Sequence, residues 1–119
     1  MPFVEFETIQ PYGKVVVNPD QIFSFAPEPQ TPADDTELFA DGERSILVAE
    51  SIAQVSAKLG PDFRRFTAAS TAPHEIYINR NLVLHLLPHP QVDGVCFVHG
   101  LNRRIAVVGT MDQVAQALS

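Results

Sequence analysis

Most of the chain alternates between apolar and polar positions in short runs with the two-residue period of a β-strand. Val4, Phe6 and Thr8 alternate with acids, as in a strand buried on one face. Residues 15–17 are all valine, and residues 22–25 are apolar at nearly every position. Only 51–59 and 110–118 have helical spacing. The pattern predicts an α+β fold that is mostly β.

Both helical segments begin with the residues of a capping box. Ser51 is followed three positions later by Gln54, and Thr110 by Gln113. In this motif the hydroxyl and the amide side chain satisfy free N–H groups of the first helical turn. A Gly-Pro pair at 60–61 would stop the first helix. The sequence therefore predicts a short helix at the end of each half.

The second half of the chain reads as a diverged copy of the first. Six segments match in the same order, at offsets of 58 to 61 residues: 3–6 with 63–66, 15–18 with 76–79, 26–30 with 87–91, 39–42 with 97–100, 44–48 with 103–107, and 51–55 with 110–114. This order predicts an internal duplication, with repeats at 1–60 and 61–119. Each repeat would form a five-stranded antiparallel bent sheet or small barrel followed by a helix, and the two would pack as one compact body.

Two segments of the first half resemble a known family. Residues 17–22 read V-N-P-D-Q-I, and residues 46–55 read I-L-V-A-E-S-I-A-Q-V. They resemble the small FlbD-like flagellar proteins and similar small proteins of α-proteobacteria and their phages, over about residues 3–59. The resemblance implies no catalytic role. The strand order is also similar, more weakly, to the Sm-like and SH3-like small barrels, many of which form rings.

Charge is distributed unevenly along the chain. The net charge is −6, and residues 1–59 hold ten acids and three bases, whereas residues 60–119 hold four acids and five bases. A net negative charge repels phosphate, so nucleic acid is an unfavoured partner. No apolar run is long enough to span a membrane, and the first residues do not have the pattern of a secretory signal. We therefore expect a cytoplasmic protein without a membrane partner.

The reactive residue types do not form a catalytic set. His85 and His89 have the spacing of a helical metal pair, but the prolines at 88 and 90 forbid the helix. Cys96 has apolar neighbours, which are typical of a core residue rather than a nucleophile. No nucleophile, base and orienting group can be assembled, so we expect no enzyme, no cofactor and no metal site.

Two apolar runs, 22–25 and 82–87, have the composition of strands buried on both faces. A small barrel has one interior, so a helix, the other repeat or another subunit would cover the second face. We therefore expect a homo-oligomer whose interface includes Phe23 or Phe25 and Leu84 or Leu86.

The basic residues of the second half form a second candidate surface. An anion or RNA patch would consist of Arg64, Arg65, Arg80, Arg103 and Arg104, with Tyr77 as a stacking partner for a base. Taken together, these features predict a non-catalytic, oligomeric interaction or assembly module of bacterial or phage origin. Its partner would be a second copy of the chain or another protein. The alternative is an Sm-like RNA-binding protein.

Overall fold

The computed structural model describes residues 3–8, 13–28 and 35–119. In this part of the chain, each half has five strands and then a helix. The elements are β1 (Val4–Glu7), β2 (Lys14–Val17), β3 (Ile22–Pro27), β4 (Thr36–Ala40), β5 (Ser45–Val48), α1 (Ile52–Leu59), β6 (Phe63–Thr67), β7 (Glu75–Asn79), β8 (His85–Pro88), β9 (Val95–His99), β10 (Arg104–Val108) and α2 (Met111–Leu118). Short 3₁₀ turns, Pro19–Gln21 and Arg80–Leu82, precede β3 and follow β7. The predicted α+β, mostly β class is confirmed.

The strands form three antiparallel sheets, in the orders β1-β2, β5-β4-β3-β7-β6 and β10-β9-β8. The central sheet combines strands of both halves, because β3 pairs with β7 through Ser24 with Ile78 and Phe25 with Tyr77. The prediction that each half forms its own five-stranded sheet or barrel is therefore wrong. These sheets do not support an internal duplication. The boundary at residue 60 stays a prediction.

A β-bulge explains how β3 contributes to two cores. Between Ile22 and Ser24 the partner strand β4 advances by only one residue, so Phe23 is extra. Phe23 packs into the core between the central and third sheets, whereas Phe25 packs into the core under the first sheet and α1. The central sheet is thus the middle layer of three.

The turn that leads into β10 is held by the β4–β5 hairpin. The Asp41 carboxylate accepts hydrogen bonds from the backbone amides of residues 101–102, at 2.8 and 2.9 Å. The Arg103 guanidinium lies 4.6 Å from the centre of the Phe39 ring. Since neighbouring side chains of a strand point to opposite faces, this contact sends Arg104 to the outward face of the third sheet.

Both predicted capping boxes are confirmed. The hydroxyl of Ser51 accepts from the Gln54 amide at 3.2 Å, and the Gln54 side chain accepts from the Ser51 amide at 2.8 Å. Thr110 and Gln113 make the same two bonds, at 3.2 and 2.9 Å. Of the helices in the described residues, none has the length and apolar character needed to cross a membrane.

Candidate nucleic-acid interface

The two faces of the third sheet differ in burial. The inward side chains, among them Cys96, Val98 and Val107, are buried in the core that this sheet shares with the central sheet and α2. The outward side chains are exposed or half-buried at every position from Val95 to His99 and from Arg104 to Val108. This outward face is therefore the surface on which the third sheet can meet a partner.

Three side chains with basic groups cross the outward face in a straight row. Arg104 of β10 is the register partner of His99 of β9, which in turn is the partner of His85 of β8. The two imidazole rings stack with their centres 4.5 Å apart and their planes at 24°. The Arg104 guanidinium lies 4.5 Å from the centre of the Phe97 ring. We call His85, His99 and Arg104 the basic row.

The surroundings of the basic row disfavour a positive charge on His99. Burial lowers the pKa of His99 from its ordinary value, and the charges of His85 and Arg104 lower this pKa further. The Nε2 atom of His99 is covered and has no hydrogen-bond partner among the described residues. An anion on the row would have the reverse effect, because an opposite charge favours the protonated form of histidine.

Arg104 differs from most of the other basic residues in its partner. Among the described residues, four ion pairs join basic to acidic side chains: Lys14–Glu5, Lys58–Glu50, Arg65–Glu75 and Arg80–Asp62. Arg104 belongs to none of these and rests on an aromatic ring instead. A guanidinium stacked in this way keeps its N–H groups directed to the side, where a phosphate or a base edge can accept from them.

Apolar surface and a groove lie beside the basic row. Phe97 has Leu87 and Ala106 as register partners, so an apolar row follows the basic one across the sheet. The loop 68–74 between β6 and β7 reaches the same edge, where the Ala69 amide donates to the Ala106 carbonyl at 2.9 Å. A groove of about 630 Å³ runs between this loop, β10 and β3–β4, and Arg104 lines it. The surface therefore combines charge, aromatic area and a concave wall.

The predicted arginine set is dispersed in the structure. Arg64 and Arg65 are neighbours on β6 and point to opposite faces. Arg80 lies on the 3₁₀ turn after β7, and Arg103 lies against the β4–β5 hairpin. Of the five, only Arg104 belongs to the basic row.

Tyr77, the predicted stacking partner for a base, already stacks within the protein. Its ring lies 4.7 Å from that of Phe25, with the two planes only 6° apart. One face of the ring is therefore occupied by a core residue.

Sequence reasoning missed the two histidines of the row. The spacing of His85 and His89 suggests a helical pair that the prolines exclude, whereas the contact that forms is between His85 and His99, on two neighbouring strands. A hairpin of 95–99 with 104–108 puts His99 opposite Arg104 on one face, and this pairing is the available signal. The position of His85 opposite them depends on the register of β8, which the sequence does not specify.

The four predicted interface residues range from fully buried to largely exposed. Phe23 and Phe25 are fully buried within one chain, so the apolar pattern of β3 needs no second subunit. Leu86 is half-buried against the core beneath the third sheet, and Leu84 is 61% exposed. The expectation that 82–87 is buried on both faces is wrong, because β8 is the edge of an outer sheet.

Two smaller expectations are confirmed. Cys96 is a buried core residue, and burial raises the pKa of its thiol. The segment 85–89 is not helical: His85 is on β8, and His89 stacks on Phe97 at 5.1 Å. Across the described ranges, no three His, Cys, Asp or Glu side chains come close enough together to hold a metal ion.

Comparison with known proteins identifies the fold. The sequence matches no protein-family model and none of the curated proteins. Among solved structures, the chain is similar to the LytTr DNA-binding domain of a DNA response regulator from Bacillus cereus. The TM-score is 0.62 at 14% sequence identity, and the match covers 99% of this chain and 96% of that chain. At this identity the likeness establishes a shared fold.

This likeness corrects the family resemblance drawn from the sequence. The FlbD-like, Sm-like and SH3-like resemblances are wrong, because the chain forms three antiparallel sheets and shares its fold with a LytTr domain over nearly its whole length. The FlbD-like match rested on turn and cap residues. Such residues recur wherever a 3₁₀ turn precedes a strand or a capping box begins a helix.

The same comparison overturns the predicted function. An oligomeric assembly module and an Sm-like RNA-binding protein are no longer supported, nor is the expectation that nucleic acid is an unfavoured partner. The net charge is a misleading guide to nucleic-acid binding because it averages over the whole chain. Most of the acids lie in the first half, whereas the basic row lies wholly in the second.

Proposed function

We propose that this chain is a DNA-binding domain without catalytic activity, and that the outward face of the third sheet contacts the duplex. The observation that carries the proposal is the likeness in fold to a domain described as DNA-binding, over nearly the whole length of both chains. The basic row supplies the local chemistry that such a role requires. A DNA-binding role also agrees with the cytoplasmic location expected from the sequence.

The net charge of −6 does not prevent a local contact with phosphate. Packed sheets lie about 10 Å apart, so the first sheet is about two layers, or ~20 Å, from the third. At about 0.1 M salt the Debye length is ~10 Å. Acids of the first sheet are therefore largely screened from a phosphate on the basic row. The expected result is a modest affinity that falls steeply with added salt.

Arg104 is the side chain expected to contribute most to this contact. Its guanidinium is held against Phe97, which limits the rotamer freedom that would be lost on binding. A fixed guanidinium can donate two hydrogen bonds to one phosphate or to the edge of a guanine. The hydroxyl of Thr71, at the groove beside β10, is placed to make a further contact that orients the duplex.

A selection from random DNA duplexes tests the proposal. The immobilised protein should enrich a common sequence, and fluorescence anisotropy with that duplex should give an affinity that falls with salt. Arg104→Gln should weaken binding about tenfold near 0.1 M salt and lower the slope of log K against log salt by about 1.

The matched control is Lys14→Gln, which removes the same charge from the first sheet and should leave binding unchanged. The proposal is overturned if the native protein enriches no sequence and binds a mixed-sequence duplex no better than Arg104→Gln does, even at about 50 mM salt.

A further inference from the structure

The basic row holds two stacked histidines beside an arginine, and we propose that DNA binding by this chain is coupled to proton uptake at the His85–His99 pair. Acidification would then strengthen the complex. This inference rests on the proposed DNA-binding function and adds a regulation to the same surface. It is carried by the straight register of the row and by the 4.5 Å stacking of its two imidazoles.

In the free protein, the geometry of the row works against its full protonation. Two imidazolium rings with centres 4.5 Å apart would repel each other, and the Arg104 guanidinium adds a third positive charge. The pKa of His99 accordingly lies below its ordinary value, with burial as the main cause and the charges of His85 and Arg104 as further causes. The row is thus a site that can accept protons but has no ion-pair partner among the described residues to stabilise them.

Within the described ranges, the groups that face the row do not supply that negative charge. Arg104 faces His99 from β10, and His85 faces it from β8. Two described acids come near this end of the sheet. The two oxygens of Asp41 accept the backbone amides of residues 101–102, and Glu37, which lines the groove with Arg104, accepts from the Ser45 hydroxyl at 2.7 Å. His89 lies one row away, stacked on Phe97, and its Nδ1 accepts two backbone amides at 3.0 and 3.1 Å.

Backbone phosphates would provide the missing counter-charge. A phosphate next to the row favours the protonated form of the imidazoles and raises the pKa of His99. By linkage, a ligand whose binding takes up protons binds more tightly as the pH falls through the range in which those protons are added. Each histidine that becomes a charged phosphate contact should strengthen binding by up to about tenfold near 0.1 M salt.

The experiment is a titration of one labelled mixed-sequence duplex with the native protein at constant ionic strength. Between about pH 8 and pH 6, the range that spans the ordinary histidine pKa, the dissociation constant should fall about three- to tenfold. The salt slope should be steeper at the lower pH. In the double variant His85→Gln and His99→Gln, both changes should be lost.

The matched control is Lys14→Gln, which removes a basic side chain from the first sheet, outside the row, and should keep the full pH dependence. Thermal unfolding followed by circular dichroism checks that each variant is folded. His85→Gln alone changes only an exposed side chain and should lose part of the pH dependence, so the test stands even if the double variant unfolds.

The two proposals fail in different ways. If the native protein binds the duplex equally at both pH values, or if the double variant keeps the pH dependence, proton coupling is overturned and DNA binding stands. If the native protein binds no duplex at either pH, both are overturned. An NMR titration of the imidazole signals gives a direct readout, in which the pKa of His99 should rise when DNA is added.

Discussion

The strands β3 and β8 are the third strand of each half, yet they lie in opposite environments. Residues 22–26 of β3 are buried without interruption, whereas β8 is an edge strand with Leu87 48% exposed. The central sheet has a layer on each side, so both faces of β3 are covered. Only the inward face of β8 meets a core. The number of covering layers, rather than apolar content, therefore decides whether such a strand forms core or surface.

The largest expected effect is the difference in stability loss between truncating a side chain of β3 and truncating one of β8. Phe25→Ala removes a ring that stacks on Tyr77 and contacts Phe63, and it should lower the free energy of unfolding by about 3–5 kcal/mol. Leu87→Ala, on the uncovered face of β8, should change it by no more than about 0.5 kcal/mol. Urea denaturation measures both. Similar losses of stability in the two variants would contradict the conclusion that both faces of β3 are covered whereas one face of β8 is not.

The sequence predicted the local elements well because short-range chemistry fixes them. The two capping boxes follow from residues within a few positions of one another, and both are present. The pairing of β3 with β7 could not be predicted in the same way. It rests on two register pairs between residues more than fifty positions apart and on the bulge at Phe23.

Contacts between distant segments also explain why only part of the candidate site was predictable. Arg104 was found because a run of basic residues is visible in the sequence. The histidines join it only after β8, β9 and β10 take their register. Similarly, Asn79 caps the 3₁₀ turn after β7, and its side-chain amide also donates to the Ile22 carbonyl at 3.0 Å, which ties the two halves together.

A smaller effect is expected at the helix caps. Ser51→Ala removes the N-cap of α1, which helps to cover β3, and should cost about 1 kcal/mol. Thr110→Ala removes the same bond from α2, under the third sheet, and should cost the same or less. The reason is that Asp112 in the first turn of α2 still interacts favourably with the helix dipole, whereas the first turn of α1 has no acid. Thermal unfolding of the two variants measures this, and an unchanged midpoint in both would remove the energetic role of the capping boxes.

The smallest expected effect is a pH dependence of stability that originates on the uncovered face. The buried stretch 22–26 of β3 contains no titratable side chain, whereas the pKa of His99 in the folded protein lies below its ordinary value. An unfolded chain, in which histidine has a pKa of about 6.5, then binds more protons than the folded chain. The stability from neutral His99 is therefore present above about pH 6.5 and is lost as the pH falls toward the folded-state pKa.

Urea midpoints from about pH 7.5 down to pH 5.5, above the range in which carboxylates titrate, measure this dependence. The native protein should lose stability across this interval, His99→Gln should lose less, and His74→Gln should behave as the native protein does. A native protein that instead becomes more stable on acidification would mean that His99 gains a carboxylate partner when it is protonated. In that case an acidic side chain already balances the charge of the basic row. The outward face of β8 would then be partly covered, and the contrast with β3 would not hold.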